Sequence, residues 1–175
     1  PHSSSVLGKK YFADEKISET AIESLKEYSS KWKKFPIEKK VEIFLKFSNL
    51  IEDNTNDIIE ICAKESGKSI KNSIAEIREA IDFCRYYSKE ALNLFQTQTL
   101  KGPTGELNQY RMVGKGLSFV VSPWNFPVAI FIGQTVAALI TGNVVITKPA
   151  EQSSFAAYYI IKLLLKAGLP SNAIA

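Results

Sequence analysis

Two short polar stretches carry the side chains best suited to chemistry. The first loop is Ser-Pro-Trp-Asn-Phe-Pro at 122–127, and the second loop is Lys-Pro-Ala-Glu-Gln at 148–152. Asn125 is uncharged at every pH and donates two hydrogen bonds from its amide, while the flanking prolines restrict the backbone. A rigid neutral donor of this kind suits the stabilisation of an oxyanion. The alternative is that the Asn125 side chain only satisfies backbone groups of its own loop.

In the second loop, Lys148 and Glu151 are three residues apart and suit the binding of one polyhydroxyl group, such as a ribose. A carboxylate accepts hydrogen bonds from vicinal hydroxyls and repels a 2′-phosphate, so Glu151 favours NAD over NADP. The alternative is a salt bridge within the loop. Trp124 is either a cofactor platform or a lid on the core. The sequence has no Gly-x-Gly-x-x-Gly, so the standard Rossmann phosphate fingerprint is absent.

The elements that must position these loops follow from the hydrophobic pattern. Short apolar runs at Leu117–Val121 and Val144–Thr147 directly precede the two loops and predict buried strands. The segment between them has the length of one helix, beginning near Pro127 and ending near Ile140. Such a βαβ unit is nearly always right-handed, so its strands are predicted to be parallel. Both loops then emerge at the carboxyl edge of the sheet, where ligands bind in open α/β folds.

The rest of the chain divides by pattern into three further segments. Residues 1–16 lack periodicity and are predicted to be a flexible N-terminus, whereas residues 17–93 carry apolar stripes at helical spacing. Residues 94–116 predict an extended arm or hairpin. Gly114-Lys115-Gly116 separates the β-like run at 107–113 from the one at 117–121. These three residues are either a hairpin turn or a change of direction into the sheet. Residues 117–175 predict a partial α/β domain, since 172–175 resemble the start of another strand.

Composition narrows the classes of function. The 175 residues carry 22 Lys and Arg against 18 Asp and Glu, a net charge of +4. This balance permits a nucleic-acid partner, but the basic residues alternate with glutamates on predicted helices and so indicate solvated helix faces. The longest apolar run, 128–140, is shorter than the ~20 residues of a membrane span. The basic residues that we assign to solvated helix faces are Lys31, Lys33, Lys34, Lys39 and Lys40.

The cysteine and histidine content excludes other chemistry. With only Cys62, Cys84 and His2, no metal site of ordinary ligand spacing can be assembled. Two cysteines without a signal-peptide pattern indicate a reducing cytoplasm. Both cysteines lie in predicted helical stripes, where we expect small apolar core residues rather than catalytic thiols.

The two loops, together with Ala-Ala-Leu-Ile-Thr-Gly-Asn at 137–143, resemble the N-terminal portion of the aldehyde dehydrogenase superfamily's cofactor-binding domain. Further stretches resemble most closely the 1-pyrroline-5-carboxylate dehydrogenase domain of bifunctional proline utilization A. These stretches are Glu-Ser-Gly-Lys at 65–68, the run from Glu76 to Tyr87, Gly-Pro-Thr-Gly-Glu at 102–106 and Gly133-Gln134. The resemblance implies an α/β fold in which an N-terminal helical region leads into an incomplete Rossmann-like parallel sheet.

The resemblance also implies NAD-dependent oxidation of L-glutamate 5-semialdehyde to glutamate in proline catabolism. By motif, Asn125 is the catalytic residue that holds the oxyanion of a thiohemiacetal, and Lys148 and Glu151 bind the adenosine ribose of NAD. Ser122 and Trp124 line the cofactor, and 117–175 is a partial NAD-binding domain. The segment 94–113 belongs to a β arm shared between dimer partners.

By the same resemblance, the nucleophilic cysteine, the general base and the glycines beneath the pyrophosphate fall beyond residue 175. We therefore expect a truncated or split enzyme that is inactive alone and that forms a homo-oligomer or joins a complementary catalytic chain. The alternatives are a non-catalytic binding subunit or remnant and, less in keeping with the charge pattern, a nucleic-acid binder. An incomplete sheet leaves an unpaired edge, and we expect the apolar helix after the first loop to be partly exposed.

Overall fold

The computed structural model describes residues 6–175, and four helices occupy most of residues 15–94. Residues 6–14 have no regular secondary structure, and residues 1–5 of the predicted flexible N-terminus lie outside the described residues. Helix α1 begins at Glu15, two residues before the predicted start of the helical region. The four helices of this region are α1 (Glu15–Lys33), α2 (Ile37–Asp53), α3 (Thr55–Ser66) and α4 (Ile70–Leu94).

Local side chains define the ends of these helices. Asp14 caps α1, with its carboxylate accepting a hydrogen bond from the Ile17 amide at 2.8 Å. Gly67 ends α3 in the left-handed conformation at a φ of 69°, which costs a glycine least. Ser69 then caps α4 through the amide of Asn72. The turn at 67–69 therefore places α3 and α4 in succession with almost no loop between them.

A hairpin follows the helices. Strand β1 (Gln98–Leu100) pairs antiparallel with β2 (Asn108–Tyr110), and Gln98 lies opposite Tyr110. The hairpin thus closes within 98–110, and the Gly114–Gly116 segment is the change of direction rather than a hairpin turn. Gly114 is required there because a Cβ atom would lie 2.6 Å from the backbone of Gly142.

The predicted βαβ unit is confirmed. Strand β3 (Leu117–Val121), helix α5 (Ala129–Ile140) and strand β4 (Val144–Lys148) follow in order, with β3 and β4 parallel. A 3₁₀ turn at Glu151–Ser153 leads into α6 (Ser154–Ala167). Beyond it, Ile174 forms a parallel bridge with Val145, as expected for the start of a further strand.

Helix α5 is the centre of the core, and the expectation that it would be partly exposed is wrong. Its residues Phe131, Val136 and Leu139 are each at most 1% exposed, because α2 and α4 pack against the helix on the side away from the sheet. In the unit formed by β3, α5 and β4, apolar side chains are exposed on β3 instead, where Phe119 and Val121 are 64% and 52% exposed. Their neighbour Val120 faces the core, as strand alternation requires.

Lys40 was predicted to lie on a solvated helix face, and this prediction is wrong. It lies on α2 with only 3% of its surface exposed, and its ammonium is 5.1 Å from the centroid of the Trp32 ring. Burial lowers the pKa of Lys40 from 10.5 to about 8. The charged form is therefore disfavoured by folding, despite the contact with the aromatic face.

We expect Lys40→Met to stabilise the protein at pH 7 by about 1–3 kcal/mol, because the charged ammonium no longer has to be buried. In the wild type, the unfolded chain binds the additional proton between pH 8 and 10.5, so stability rises with pH across that window. The variant should lack this contribution. Urea unfolding at several pH values measures both effects, with Lys39→Met, at the exposed neighbour that pairs with Glu42, as the control. Equal pH profiles for wild type and variant would contradict the assignment.

Candidate functional site

The two loops meet at the carboxyl edge of the sheet. Val121 and Lys148, the last residues of β3 and β4, are register partners, and the Ser122 amide donates to the Lys148 carbonyl at 3.2 Å. This hydrogen bond extends the parallel ladder by one step, so the chain leaves both strands side by side. The sequence prediction that both loops share one edge is confirmed.

The first loop presents most of its polar groups to solvent. Asn125 is exposed, and within residues 6–175 its side-chain amide makes no hydrogen bond. The alternative that this side chain satisfies its own loop is therefore not what the described chain shows. Trp124 is 57% exposed, which is inconsistent with a lid on the core, whereas Ser122 is only 4% exposed and is the least accessible of the proposed cofactor contacts.

In the second loop, Lys148 and Glu151 are both exposed. The Lys148 ammonium is 3.4 Å from the carbonyl of Pro149, and in the described part of the chain it forms no ion pair with Glu151. Both charged groups remain open to a ligand. A ribose matches these two groups chemically, because its hydroxyls can donate to a carboxylate and accept from an ammonium.

The N-terminal segment contributes to the second loop, which the sequence analysis did not predict. Lys10 donates from its ammonium to the Glu151 carbonyl at 2.5 Å. An open cleft of about 340 Å³ lies between this segment and the loop. The segment lacks any motif or periodicity, so no signal in the sequence could have indicated this contact. The cleft is lined mainly by residues 6–10, Glu65, Glu151, Gln152 and Phe155.

Two carboxylates from the helical region cap the helices that follow the loops. Glu65 of α3 accepts from the Phe155 and Ala156 amides at 2.7 and 2.9 Å, at the start of α6. Glu76 of α4 accepts from the amides of Val128 and Ala129 at 2.6 and 3.0 Å, at the start of α5.

These two helix N-termini would otherwise be favourable positions for an anion. Because a negatively charged carboxylate already accepts from two amides at each N-terminus, neither helix is a favourable position for a pyrophosphate. The absence of the glycine-rich fingerprint agrees with this, since that motif serves to bring a pyrophosphate onto a helix N-terminus. Any dinucleotide bound at these loops must have its phosphates held elsewhere.

A second cleft separates the first loop from the turn between α3 and α4. It has a volume of about 320 Å³, and Trp124 and Asn125 form one of its walls. The opposite wall carries small polar groups and one ammonium, so the cleft suits a small polar molecule placed beside the Asn125 amide. The residues of the opposite wall are Ser66, Gly67, Lys68, Ser69 and Asn72.

Neither cysteine is poised as a nucleophile. Cys62 and Cys84 are free thiols at most 1% exposed, and burial raises the pKa of each to about 12. A nucleophilic cysteine requires the opposite shift. The prediction that both are core residues is confirmed. Among the described residues, no group of His, Cys, Asp and Glu side chains could hold a metal ion. In the same part of the chain, every helix is too short or too polar to span a lipid bilayer.

The model of the aldehyde dehydrogenase family matches residues 1–175. The chain belongs to this family. It is 32% identical to the 1-pyrroline-5-carboxylate dehydrogenase of Bacillus subtilis (strain 168), over 97% of this chain and 33% of that protein. It is 36% identical to the bifunctional protein PutA of Salmonella typhimurium, over 93% of this chain and 11% of that protein.

Solved structures of family members give the same result. A proline utilization A variant from Bradyrhizobium japonicum superposes with a TM-score of 0.92 at 36% identity, over 94% of this chain and 17% of the other. A 1-pyrroline-5-carboxylate dehydrogenase from Thermus, crystallised with bound NAD, has a TM-score of 0.89 at 32% identity, over 93% of this chain and 32% of the other. This family member thus spans about a third or less of the length of these relatives. The structural match confirms the predicted α/β fold class.

Proposed function

We propose that this family member is the N-terminal portion of an NAD-dependent L-glutamate 5-semialdehyde dehydrogenase that acts in proline catabolism to glutamate. The observation that carries the proposal is the pairing of the two loops through the Ser122–Lys148 hydrogen bond, with Asn125, Lys148 and Glu151 all exposed. The name of the Bacillus subtilis relative, 1-pyrroline-5-carboxylate dehydrogenase, supports the substrate class, and the structural match to proline utilization A supports the link to proline catabolism.

In this proposal the residues of the second loop bind the cofactor. The Glu151 carboxylate accepts hydrogen bonds from the adenosine ribose and Lys148 donates to it, while Trp124 packs beside the cofactor. The carboxylate repels a 2′-phosphate, so NAD is favoured over NADP. Bound NAD supplies the hydride acceptor for the oxidation. The occupied N-termini of α5 and α6 leave the ribose as the part of the cofactor that these loops hold.

Asn125 acts on the aldehyde. Its amide donates to the carbonyl oxygen as negative charge develops there, when a cysteine thiolate attacks the aldehyde. The donor is neutral and is fixed between two prolines, so it needs little reorganisation as the charge forms. The buried Cys62 and Cys84 are unsuited to this attack, and we place the thiolate outside these 175 residues, on a longer polypeptide or on a complementary chain. Assembly with further copies or with that chain is part of the proposal.

A second candidate is a non-catalytic cofactor-binding subunit or remnant. The raised pKa values of both thiols favour it, because a chain with this site alone binds cofactor without oxidising a substrate. The two candidates differ in one respect, the presence of a reactive cysteine in the native assembly.

The test is NADH formation from L-glutamate 5-semialdehyde by the native protein, recovered from its source cells with an antibody against this chain. We expect the native protein or complex to form NADH, with NAD preferred over NADP, and the 175-residue chain alone to form none. NADH formation by the chain alone would contradict the placement of the thiolate. A native assembly that binds NAD without turnover would instead support the non-catalytic candidate.

A further inference from the structure

Lys68 connects the helical region to the first loop through three contacts. Its ammonium donates to the Asn125 carbonyl at 2.7 Å, lies 2.5 Å from a carboxylate oxygen of Glu76, and is 4.6 Å from the centroid of the Phe126 ring. The Lys68 side chain is only 12% exposed. The ammonium is therefore largely withdrawn from water and fixed by protein groups on three sides.

Glu76 links the same ammonium to helix α5. Its Oε2 atom faces Lys68, while its Oε1 atom accepts from the amides of Val128 and Ala129. The Glu76 side chain is 1% exposed. One buried carboxylate thus joins Lys68, which holds the middle of the first loop, to the helix that begins where the loop ends.

From these contacts we propose that Lys68 and Glu76 are positioning residues for Asn125. The inference rests on the proposed role of the Asn125 amide as an oxyanion donor, because such a donor acts only if it is held in place before charge develops. The two prolines restrict the dihedral angles of the loop, but they do not fix where the loop lies relative to the rest of the protein. The ammonium of Lys68 does so by holding the Asn125 main chain to the turn that precedes α4.

Stability alone is a weak explanation for this ion pair. Taking two charges out of water costs several kcal/mol, and buried ion pairs are often replaceable by apolar residues without loss of stability. Glu76 could cap α5 without any partner, as a carboxylate at a helix N-terminus does. The Lys68 contact to the Asn125 carbonyl adds nothing to that cap. This contact holds the first loop, and the ion pair with Glu76 keeps the Lys68 ammonium within reach of the Asn125 carbonyl.

Two variants, Lys68→Met and Glu76→Gln, separate the positioning of the first loop from the capping of α5. Lys68→Met removes the contact to the loop and keeps the cap. Glu76→Gln keeps an oxygen that can accept from the amides of Val128 and Ala129, but it removes the charge that faces Lys68. Lys68→Arg keeps the charge and the donors and serves as the rescue. Lys64→Met is the matched control, since Lys64 forms an exposed ion pair with Glu60 in the same helical region.

The measurement is the backbone order parameter S² at Asn125 and Phe126, by NMR relaxation of the native protein, with urea unfolding in parallel. We expect S² to fall from about 0.85 to below about 0.6 in both Lys68→Met and Glu76→Gln. Lys68→Arg should restore most of the wild-type value, and Lys64→Met should change nothing. A loop that stays rigid in both variants would overturn the proposal. So would equal mobility in Lys68→Arg and Lys68→Met, or a loss of order spread over all core amides.

This outcome is distinguishable from failure of the proposed function, because the order parameters need neither NAD nor an aldehyde. If the native enzyme forms NADH, Lys68→Met should lower kcat by at least about tenfold with little change in KM, since misplacement of a catalytic group acts on the chemical step. Lys68→Arg should recover kcat, a rescue that a general loss of folding would not give. If kcat is unchanged while the loop becomes mobile, the Asn125 role fails and the positioning of the loop stands.

Discussion

Replacing Asn125 with alanine in the native enzyme should lower kcat for NADH formation by about 10²–10³-fold and leave KM nearly unchanged. Under the proposed function, the amide donates to an oxygen that carries negative charge only in the transition state, so its loss removes stabilisation that the bound substrate does not need. Folding should be unaffected, because Asn125 is exposed and within residues 6–175 its side chain makes no hydrogen bond. Steady-state kinetics with L-glutamate 5-semialdehyde measures the effect.

The matched control is Asn56→Ala, which truncates the same side chain at an exposed position on α3. It should leave kcat within the error of the assay. Asn125→Asp is a sharper variant, since a carboxylate of almost the same shape repels the developing oxyanion and should be at least as damaging as alanine. Full kcat in Asn125→Ala would show that another group stabilises the oxyanion.

We expect Trp32→Ala to destabilise the folded chain by about 3–5 kcal/mol, the usual cost of truncating a buried large aromatic residue. Trp32 is 0% exposed and stacks on Phe35 with ring centroids 5.3 Å apart. Its indole also donates to the Leu139 carbonyl at 2.9 Å, so the substitution removes a buried hydrogen bond as well as the aromatic packing. Urea unfolding followed by far-UV circular dichroism measures the change without relying on tryptophan fluorescence.

The sequence offers its own control for this prediction, since it contains one other tryptophan. Trp124→Ala removes the same side chain from a position that is 57% exposed, and we expect it to alter stability by less than about 1 kcal/mol. Equal losses in the two variants would mean that the contact of Trp32 with Leu139 does not join α1 to the core. The same pair should behave oppositely in NAD binding, where Trp124→Ala is the damaging substitution.

The arrangement of carboxylates has a consequence for how the cofactor is held. In folds with a glycine-rich fingerprint, a helix N-terminus binds the pyrophosphate and fixes the middle of the dinucleotide. Here Glu65 and Glu76 each accept from amides at those helix N-termini, and in the proposed function the exposed charges of the second loop bind the ribose instead. Under the proposed function, these loops therefore hold the cofactor at its adenosine end and leave the phosphates to other parts of the protein.

The sequence by itself determined the βαβ unit and the identity of the two loops. Strand and helix periods differ, and prolines and glycines mark the element ends locally, so residues 117–167 could be assigned without knowing the packing. Parallel pairing of β3 and β4 followed from the handedness of the crossover. The shared edge of the loops was then a geometric consequence.

Only the tertiary structure decided which distant groups support the loops. Glu65 reaches Phe155 across 90 residues, and Lys68 reaches Asn125 across 57. In the sequence Glu65 and Lys68 belong to a stretch that carries the family resemblance, but local pattern carries no information about which helix or loop will pack nearby. The same reason explains why Lys40 was expected to be solvated. It also explains why the sequence did not decide whether Gly114–Gly116 is a hairpin turn, and so which strand pairs with β2. Burial and pairing across the chain depend on how α2, α4 and α5 come together, which periodicity does not specify.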